Sequence, residues 1–505
     1  MGNELQFLGD MKEFYESFGL VSYPFNVFTA ENEVEYASQL FVHPLNYDSI
    51  KSSFDNRNSM VIRGNRGAGK TAAVLDLLKQ SQHKDSLQIF IDDYSQIPLT
   101  PTNADYYSLI ITALVQKLFS NLVDDNQRIK KLSRDEKLLL SFLLSKYTTQ
   151  TTRSALIRKI ENIQLSIIKR FAKKNINFFR VILNYGLTAG LNVVNDVIRT
   201  HLSSLPPLQE SQIRDIMPEI NLNAETDFTD AQTSYDLLLR TCALIKKLGY
   251  ERITVFFDKF DEDSRMQNNA ETISTFITPL FTDNKLLENQ EIQIVISIWE
   301  VPFIRILTQF RSQKHFCPLL SWPTVKLKDA LNRRLSVFSN GNVDDYRTLF
   351  ADDVNEDVLD ELFLLSNGNP RDLWHIMHSV LQAQYNIDSQ HGKITEAAIN
   401  EGLRSFVLNF NFYEYYPRKA NAKSNSMDIY SYIKHLLKLT DNPFTKNQLN
   451  SQAKTGSSTS NYVYGMEKIG LVCNTNEKLN NGALYRISDP KVEYARRNNL
   501  DITKH

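Results

Sequence analysis

The chain has 505 residues, of which 42% are apolar and 23% charged, and its formal net charge is −1 at pH 7. This composition predicts a globular protein of about three domains. The near-zero charge excludes a surface that is basic throughout, but it leaves room for a local basic patch. The three cysteines, Cys242, Cys317 and Cys473, lack metal-ligand spacing and favour a reduced, cytoplasmic compartment.

Nothing in the sequence predicts insertion into a membrane. The N-terminus lacks the basic start and the apolar core of a signal peptide. The apolar segment Phe178–Ile198 is interrupted by Arg180, Asn184, Asn192 and Asp196, whereas a membrane-spanning helix needs about 20 predominantly apolar residues. We therefore expect no membrane partner.

A glycine-rich loop at residues 64–71 carries the clearest functional signal. It follows a short apolar run, 60–62, that predicts a buried strand, and it precedes residues with helical apolar spacing. Glycines let backbone N–H groups face phosphates at a helix N-terminus, while Lys70 would reach the β- and γ-phosphates of ATP and Thr71 would bind Mg²⁺. The alternative is a chance match in a glycine-containing turn. The predicted nucleotide-binding residues are Gly64, Asn65, Arg66, Gly67, Ala68, Gly69, Lys70 and Thr71.

A second apolar run, 253–257, ends at Asp258, which we predict to be the acidic Mg²⁺ ligand. A glutamate does not follow directly. Asp261 and Glu262 are the carboxylates available to polarise the attacking water, and the sequence does not choose between them. Alternatively, these acids only cap the next helix.

A third predicted strand, 292–298, contains Ser297, either a γ-phosphate sensor or an ordinary buried hydroxyl. Asn369 is predicted to cap a helix that begins with Pro370. Arg371 therefore lies in the first turn of that helix, where the helix dipole disfavours a cation. A nucleotide phosphate would be a suitable partner, and a surface ion pair is the alternative. Arg311 could act on the nucleotide of a neighbouring subunit, or it could simply be solvated.

The remaining sequence predicts an insertion and a C-terminal domain. Residues 102–230 read as a helical insertion, in which 153–180 carries eight basic side chains and one acid. This tract is either a nucleic-acid or partner-binding arm or a solvated helix face. After a polar linker, 421–426, come three predicted helices, the second opened by a capping box of Thr445 and Gln448, and then a hairpin. Together they predict a winged helix, with a surplus of four basic residues over 427–505. If it binds DNA, the residues facing the major groove would be Ser458, Thr459, Asn461 and Tyr462.

The chain resembles the origin-recognition (ORC/CDC6-type) AAA+ ATPases in the order of its motifs. These are the phosphate-binding loop, the strand ending at Asp258, the strand with Ser297, Arg311 and the helix start at Arg371. The resemblance covers roughly 40–100 and 230–490. Residues 257–262 look instead like the Asp-Gly-x-Asp-Glu pattern of STAND ATPases, with Lys259 in place of glycine. Bacterial ORC-like ATPases of this size are often encoded in mobile elements and antiphage defence loci.

The resemblance implies an α/β fold: an AAA+/ASCE P-loop core at 56–335 after an N-terminal segment at 1–55, a helical lid at 340–415 and a winged helix at 427–495. It implies an ATP- and Mg²⁺-dependent ATPase that forms homo-oligomers and couples nucleotide state to DNA or to a partner protein, such as an effector encoded nearby. The rival functions are a STAND-like sensor that oligomerises on a trigger and an ATP-locked scaffold that does not hydrolyse ATP.

Overall fold

The computed structural model describes residues 11–33, 36–81, 83, 85–149, 205, 230–390, 392–418, 426–479 and 481–503. The basic tract at 153–180, the apolar segment 178–198 and most of the linker predicted at 421–426 lie outside these residues. Among the described helices, none combines the length and apolarity that crossing a membrane requires.

A parallel four-stranded sheet forms the centre of the N-terminal half, and the fold class is α/β. Its strands are β1 (Met60–Gly64), β2 (Ser86–Ile91), β3 (Arg252–Phe257) and β4 (Gln293–Trp299), in the spatial order β1-β4-β3-β2. Backbone hydrogen bonds of residues 316–320 extend the sheet beyond β1. The predicted strands are therefore confirmed, since near-continuous apolar runs suit strands that are covered on both faces.

Helices cover both faces of this sheet. The described helices of this half are α1 (Ala37–Leu40), α2 (Tyr47–Asp55), α3 (Lys70–Gln80), α4 (Asn103–Asp124), α5 (Arg134–Thr149), α6 (Ala231–Lys247), α7 (Ala270–Thr282), α8 (Asn284–Leu287) and α9 (Glu300–Ile306). One face of the sheet packs against α2 and α3 through a cluster that includes Ile50, Phe54 and Val74, and the other face forms a larger core with α4, α5, α6 and α7. The carboxyl ends of the strands point towards the phosphate-binding loop.

A second core joins the next helices to the C-terminal unit. The four helices that follow the sheet are α10 (Thr324–Phe338), α11 (Glu356–Ser366), α12 (Pro370–Ile387) and α13 (Glu396–Leu408). Asn369 caps α12 and Pro370 takes its first position, as predicted. Helices α12 and α13 pack so closely that a Cβ on Gly402 would lie 2.5 Å from Val380 Cα. Phe14 and Phe25 of the N-terminal segment belong to the same core.

The C-terminal unit contains helices around a small antiparallel sheet. Its elements are α14 (Ile429–Leu436), β5 (Phe444–Thr445), α15 (Lys446–Ala453), α16 (Thr459–Lys468), β6 (Val472–Leu479), β7 (Gly482–Ile487) and α17 (Pro490–Arg497). The predicted capping box of Thr445 and Gln448 opens α15. The outward orientation predicted for Thr459 is wrong, because this residue is buried and its hydroxyl bonds to Thr455 Oγ1 at 2.6 Å.

Candidate nucleotide-binding site

The phosphate-binding loop leads from β1 into α3 with two residues in the left-handed backbone region. Gly67 and Gly69 both have φ of 78°, a conformation that glycine adopts without steric cost. Gly67 is required for space as well, because a Cβ there would lie 2.4 Å from Asn369 Oδ1. The glycines thus allow both the turn and the close approach of α12.

Lys70 begins α3, and its ammonium group lies against the loop itself. Nζ donates to the carbonyl oxygens of Gly64 and Asn65 at 3.2 and 3.0 Å. Burial lowers the pKa of Lys70, and the positive charges of Arg371 and Arg66 lower it further, while Asp261 and Asp258 oppose the shift. An anionic ligand at this point would stabilise the charged lysine.

Asp258 lies directly after β3 and meets side chains from two other elements. Thr71 Oγ1 donates to Asp258 Oδ2 at 2.7 Å, and the buried Ser297 hydroxyl donates to Oδ1. Burial raises the pKa of the Asp258 carboxyl, against these hydrogen bonds and the charge of Lys70. A threonine hydroxyl beside a carboxylate supplies the hard oxygen ligands that Mg²⁺ prefers. Thr71 and Asp258 therefore fit the predicted metal site, with Ser297 orienting the carboxylate.

The two acids that follow β3 lie in different surroundings. Arg66 Nε donates to Asp261 Oδ2 at 2.5 Å, and the Arg66 guanidinium lies 4.4 Å from the ring centre of Trp299. The side chain of Glu262 is 63% exposed, with its carboxylate 4.0 Å from Lys259 Nζ. Lys259 has φ of 61°, a region that favours glycine.

Arg371 lies in the first turn of α12, directly after the capping residue Asn369 and Pro370. Its charge acts on the pKa of Lys70, and its Nε is buried without a hydrogen-bond partner among the described residues. A buried unpaired guanidinium nitrogen is costly, so this geometry indicates an anionic ligand. The surface ion pair stays the alternative, because the residue as a whole is only partly buried.

Arg311 does not belong to this group of side chains. It is exposed and precedes a short 3-10 turn at Ser312–Lys314, after α9. Its action on the nucleotide of a neighbouring subunit stays a prediction.

The structure adds residues that sequence reasoning missed. Trp322 Nε1 donates to the carbonyl of Ala68 at 3.0 Å, and Asn369 Nδ2 donates to the carbonyl of Arg66 at 2.7 Å. At the end of β4, where Trp299 pairs with Gly64, Glu300 has a buried Oε2 with no hydrogen-bond partner in the described part of the chain. No sequence pattern marked Trp322 or Glu300, whereas Asn369 was recognised only as a helix cap.

No protein-family model matches the chain, and no curated protein does. Solved structures with a similar fold include the Walker-type ATPase PABY2304 of Pyrococcus abyssi, with 12% identity, a TM-score of 0.42 and coverage of 91% of this chain and 99% of that one. The ADPNP–ADP complexes of the Aeropyrum pernix ORC2 protein are 11% identical, with a TM-score of 0.39 and coverage of 91% of this chain and 98% of that one. The ADP form of the same protein is 12% identical, with a TM-score of 0.35 and coverage of 94% and 96%. Likeness at this level carries no functional argument, so function is inferred from the site itself.

The arrangement brings one anion-binding loop, one metal-binding pair and two cations to the carboxyl edge of the sheet. Lys70 and Arg371 suit phosphate oxygens, and Thr71 with Asp258 suits Mg²⁺. A nucleoside triphosphate with bound Mg²⁺ is the ligand that uses all four groups together.

Proposed function

We propose that this chain binds and hydrolyses ATP with Mg²⁺ and works as an AAA+ switch that couples nucleotide state to DNA or to a partner protein. One observation carries the proposal: the Nε of Arg371 is buried without a hydrogen-bond partner among the described residues, and the charge of Arg371 acts on Lys70 of the phosphate-binding loop. Lys70 is followed by Thr71, which bonds to Asp258, so residues of separate elements contribute to the site. Cations and metal ligands from separate elements come together in this way at sites that surround a phosphate group.

The residues take distinct roles in hydrolysis. Water attacks the γ-phosphorus, the bond from that phosphorus to the β,γ-bridging oxygen breaks, and the water proton passes to a carboxylate. Thr71 and Asp258 would hold Mg²⁺, which would supply positive charge to the phosphate oxygens. Of the two acids proposed to polarise the water, Asp261 is already bound to Arg66, which favours Glu262.

Nucleotide state is proposed to reach the rest of the molecule through α12. This helix carries Arg371, and its preceding residue Asn369 contacts the phosphate-binding loop. A phosphate that attracts Arg371 would therefore change how the lid sits on the core. In a homo-oligomer, Arg311 would contact the nucleotide of the neighbouring subunit.

The partner is proposed to be DNA or protein bound by the C-terminal unit, acting as a winged helix, and by the basic tract at 153–180. Ser458 and Asn461 are exposed at the start of α16, where a recognition helix would meet the major groove. The biological setting that fits the resemblance is cytoplasmic, in bacterial antiphage defence or mobile elements, with an effector encoded nearby.

A second candidate is an ATP-locked assembly scaffold. The hydrogen bond from Arg66 to Asp261 favours it, because this carboxylate is already paired. It is also favoured by Lys259, which follows Asp258 at the position where a glutamate is most common. The STAND-like sensor shares the site and differs in assembling only on a trigger.

Phosphate release by the purified protein, with and without duplex DNA, tests the proposal. Turnover that requires Mg²⁺ and is lost in Lys70→Ala is the expected result. Tight ATP binding without phosphate release would favour the scaffold, and absence of ATP binding would overturn both. Measuring the mass in solution with and without ATP then tests the homo-oligomer.

A further inference from the structure

A continuous series of buried polar groups joins the phosphate-binding loop to the last helix of the C-terminal unit. Asn369 Nδ2 donates to the Arg66 carbonyl at 2.7 Å and to Tyr415 Oη at 2.6 Å. Tyr415 Oη donates to Asp372 Oδ2 at 2.7 Å, and Lys491 Nζ of α17 lies 3.0 Å from the same oxygen. We call these four side chains, Asn369, Tyr415, Asp372 and Lys491, the relay.

Every member of the relay is removed from solvent. Asn369, Tyr415 and Asp372 are buried, and Lys491 is 0% exposed. The Lys491 ammonium also lies 4.4 Å from the ring centre of Phe410 and 4.5 Å from that of Tyr415. Hydrogen bonds and ion pairs are strong in such surroundings, but a buried lysine must first lose its hydration. Because burying Lys491 is costly, its pairing with Asp372 is suited to fixing one specific arrangement of the C-terminal unit.

At its other end the relay fixes the nucleotide site. The Asn369 amide uses both of its N–H groups, one on Arg66 and one on Tyr415, and its Oδ1 accepts the backbone N–H of Arg371 at 3.0 Å. One side chain thus sets the peptide orientation in the phosphate-binding loop and the start of the helix that carries Arg371. The close fit at Gly67 leaves Asn369 little room to move without moving the loop.

We propose that the relay residues are positioning residues for ATP, through which docking of the C-terminal unit sets the affinity of the nucleotide site. The inference rests on the proposed function. Because the relay holds the Arg66 carbonyl, an intact relay pre-organises the phosphate-binding loop. The loop then does not have to become ordered when ATP binds. By linkage, ATP must change the docking of the C-terminal unit by the same factor by which docking changes ATP affinity.

Two adjacent tyrosines provide a matched test. Tyr415 and Tyr416 are both buried, and each hydroxyl donates to a buried aspartate, Tyr415 to Asp372 and Tyr416 to Asp489 at 3.0 Å. Only Tyr415 is also bonded to Asn369. Tyr415→Phe and Tyr416→Phe therefore each remove one buried hydroxyl, and only the first interrupts the relay.

The first measurement is the Kd for ATP with Mg²⁺, made on the full chain alongside thermal unfolding. We expect Tyr415→Phe to weaken ATP binding roughly 5- to 20-fold, and Tyr416→Phe to leave the Kd within about twofold of wild type, with similar losses of Tm in both. Equal Kd values in the two variants would overturn the relay. A wild-type chain that binds no ATP would instead overturn the proposed function.

The second measurement tests whether ATP changes the docking of the C-terminal unit. Cys473 is exposed on β6, whereas burial raises the pKa of Cys242 to about 12 and that of Cys317 to about 11. A thiol-reactive fluorophore added near pH 7 therefore labels Cys473 selectively. ATP should change its signal in wild type and in Tyr416→Phe, and only weakly in Tyr415→Phe. The same ATP response in all three proteins, or none in wild type, would contradict the coupling.

Discussion

Arg66 of the phosphate-binding loop donates to the carboxylate of Asp261, which follows β3, with 2.5 Å between Nε and Oδ2. A second bond runs from Arg66 Nη2 to the Asp261 carbonyl at 3.2 Å. Since both groups are largely buried, this pair ties the loop to the segment after the metal-binding strand. The two acids that sequence reasoning left equivalent are therefore expected to differ in function.

Substituting each acid separately tests that difference. Glu262→Gln should lower turnover by roughly 10²- to 10⁴-fold, as expected for loss of a general base, and leave the Kd for ATP near wild type. Asp261→Asn should weaken ATP binding, because Arg66 loses its charged partner. Single-turnover phosphate release and direct ATP titration separate the two effects.

Glu300→Gln is the useful third variant in this series. The Glu300 carboxylate directly follows β4 and accepts a hydrogen bond from Arg63 Nη1 at 3.0 Å on one oxygen, while its other oxygen is buried without a partner among the described residues. Burial raises its pKa, against the charges of Arg63 and Lys70. If Glu262→Gln hydrolyses ATP normally and Glu300→Gln does not, water activation belongs to Glu300.

Lys70→Ala should remove the fixed cation of the phosphate site. We expect ATP binding or turnover to fall by about 10²–10³-fold, the range seen when one charge-stabilising donor is removed from an active site. Fluorescent-nucleotide titration and phosphate release report the two quantities. Lys79→Ala, at the other end of α3, is the control and should retain both. Wild-type behaviour in Lys70→Ala would contradict the assignment of residues 64–71.

Asp258→Asn should abolish Mg²⁺-dependent turnover, because the metal loses its charged ligand. The metal-free protein should also show a distinct pH dependence. Burial raises the folded-state pKa of Asp258, so the folded chain retains a proton at pH values where the unfolded chain has lost it. The free energy of unfolding should therefore fall as pH rises from the unfolded pKa through the raised folded value. Chemical denaturation without Mg²⁺ should show this fall in wild type and not in Asp258→Asn.

Arg371→Ala should weaken ATP binding by about 1.5–3 kcal/mol, the usual range for a hydrogen bond to a charged group. Arg347→Ala is a matched control, because Arg347 forms an exposed surface ion pair with Glu356, and solvent screens such a pair. ATP titrations of both variants make the comparison. Equal affinity in the two would mean that Arg371 does not contact the nucleotide.

The parts of the fold that sequence predicted are those encoded locally. The strand before Gly64 and the caps at Asn369 and Thr445 depend on residues within one or two turns of each other. Contacts across the fold left no such signal. Asn369 and Arg66 are 303 positions apart, and no periodicity could pair Lys491 with Asp372. Thr459 was misassigned for the same reason, since helix spacing shows a face but not what that face packs against.

The last prediction concerns DNA and depends on how many cations the C-terminal unit presents. Of the basic residues at 427–505, Lys491 is buried against Asp372, and Arg496 is paired with Glu493. Both are unsuited to binding phosphate. If the full chain binds duplex DNA, we therefore expect affinity to fall with salt with a shallow log–log slope, on the order of −2 to −3 for this unit alone.

A basic tract that also touches DNA would make the slope steeper. Charge reversal at Lys169, Arg170, Lys173 and Lys174 should then return the slope to the shallow value, as measured by fluorescence anisotropy between low and moderate salt. Charge reversal of Lys130 and Lys131, in the short 3-10 helix between α4 and α5, is the control. Should the full chain bind no DNA even at low salt, both basic surfaces would be reassigned to protein partners. ATP-dependent co-purification with the product of a neighbouring gene would then be the next measurement.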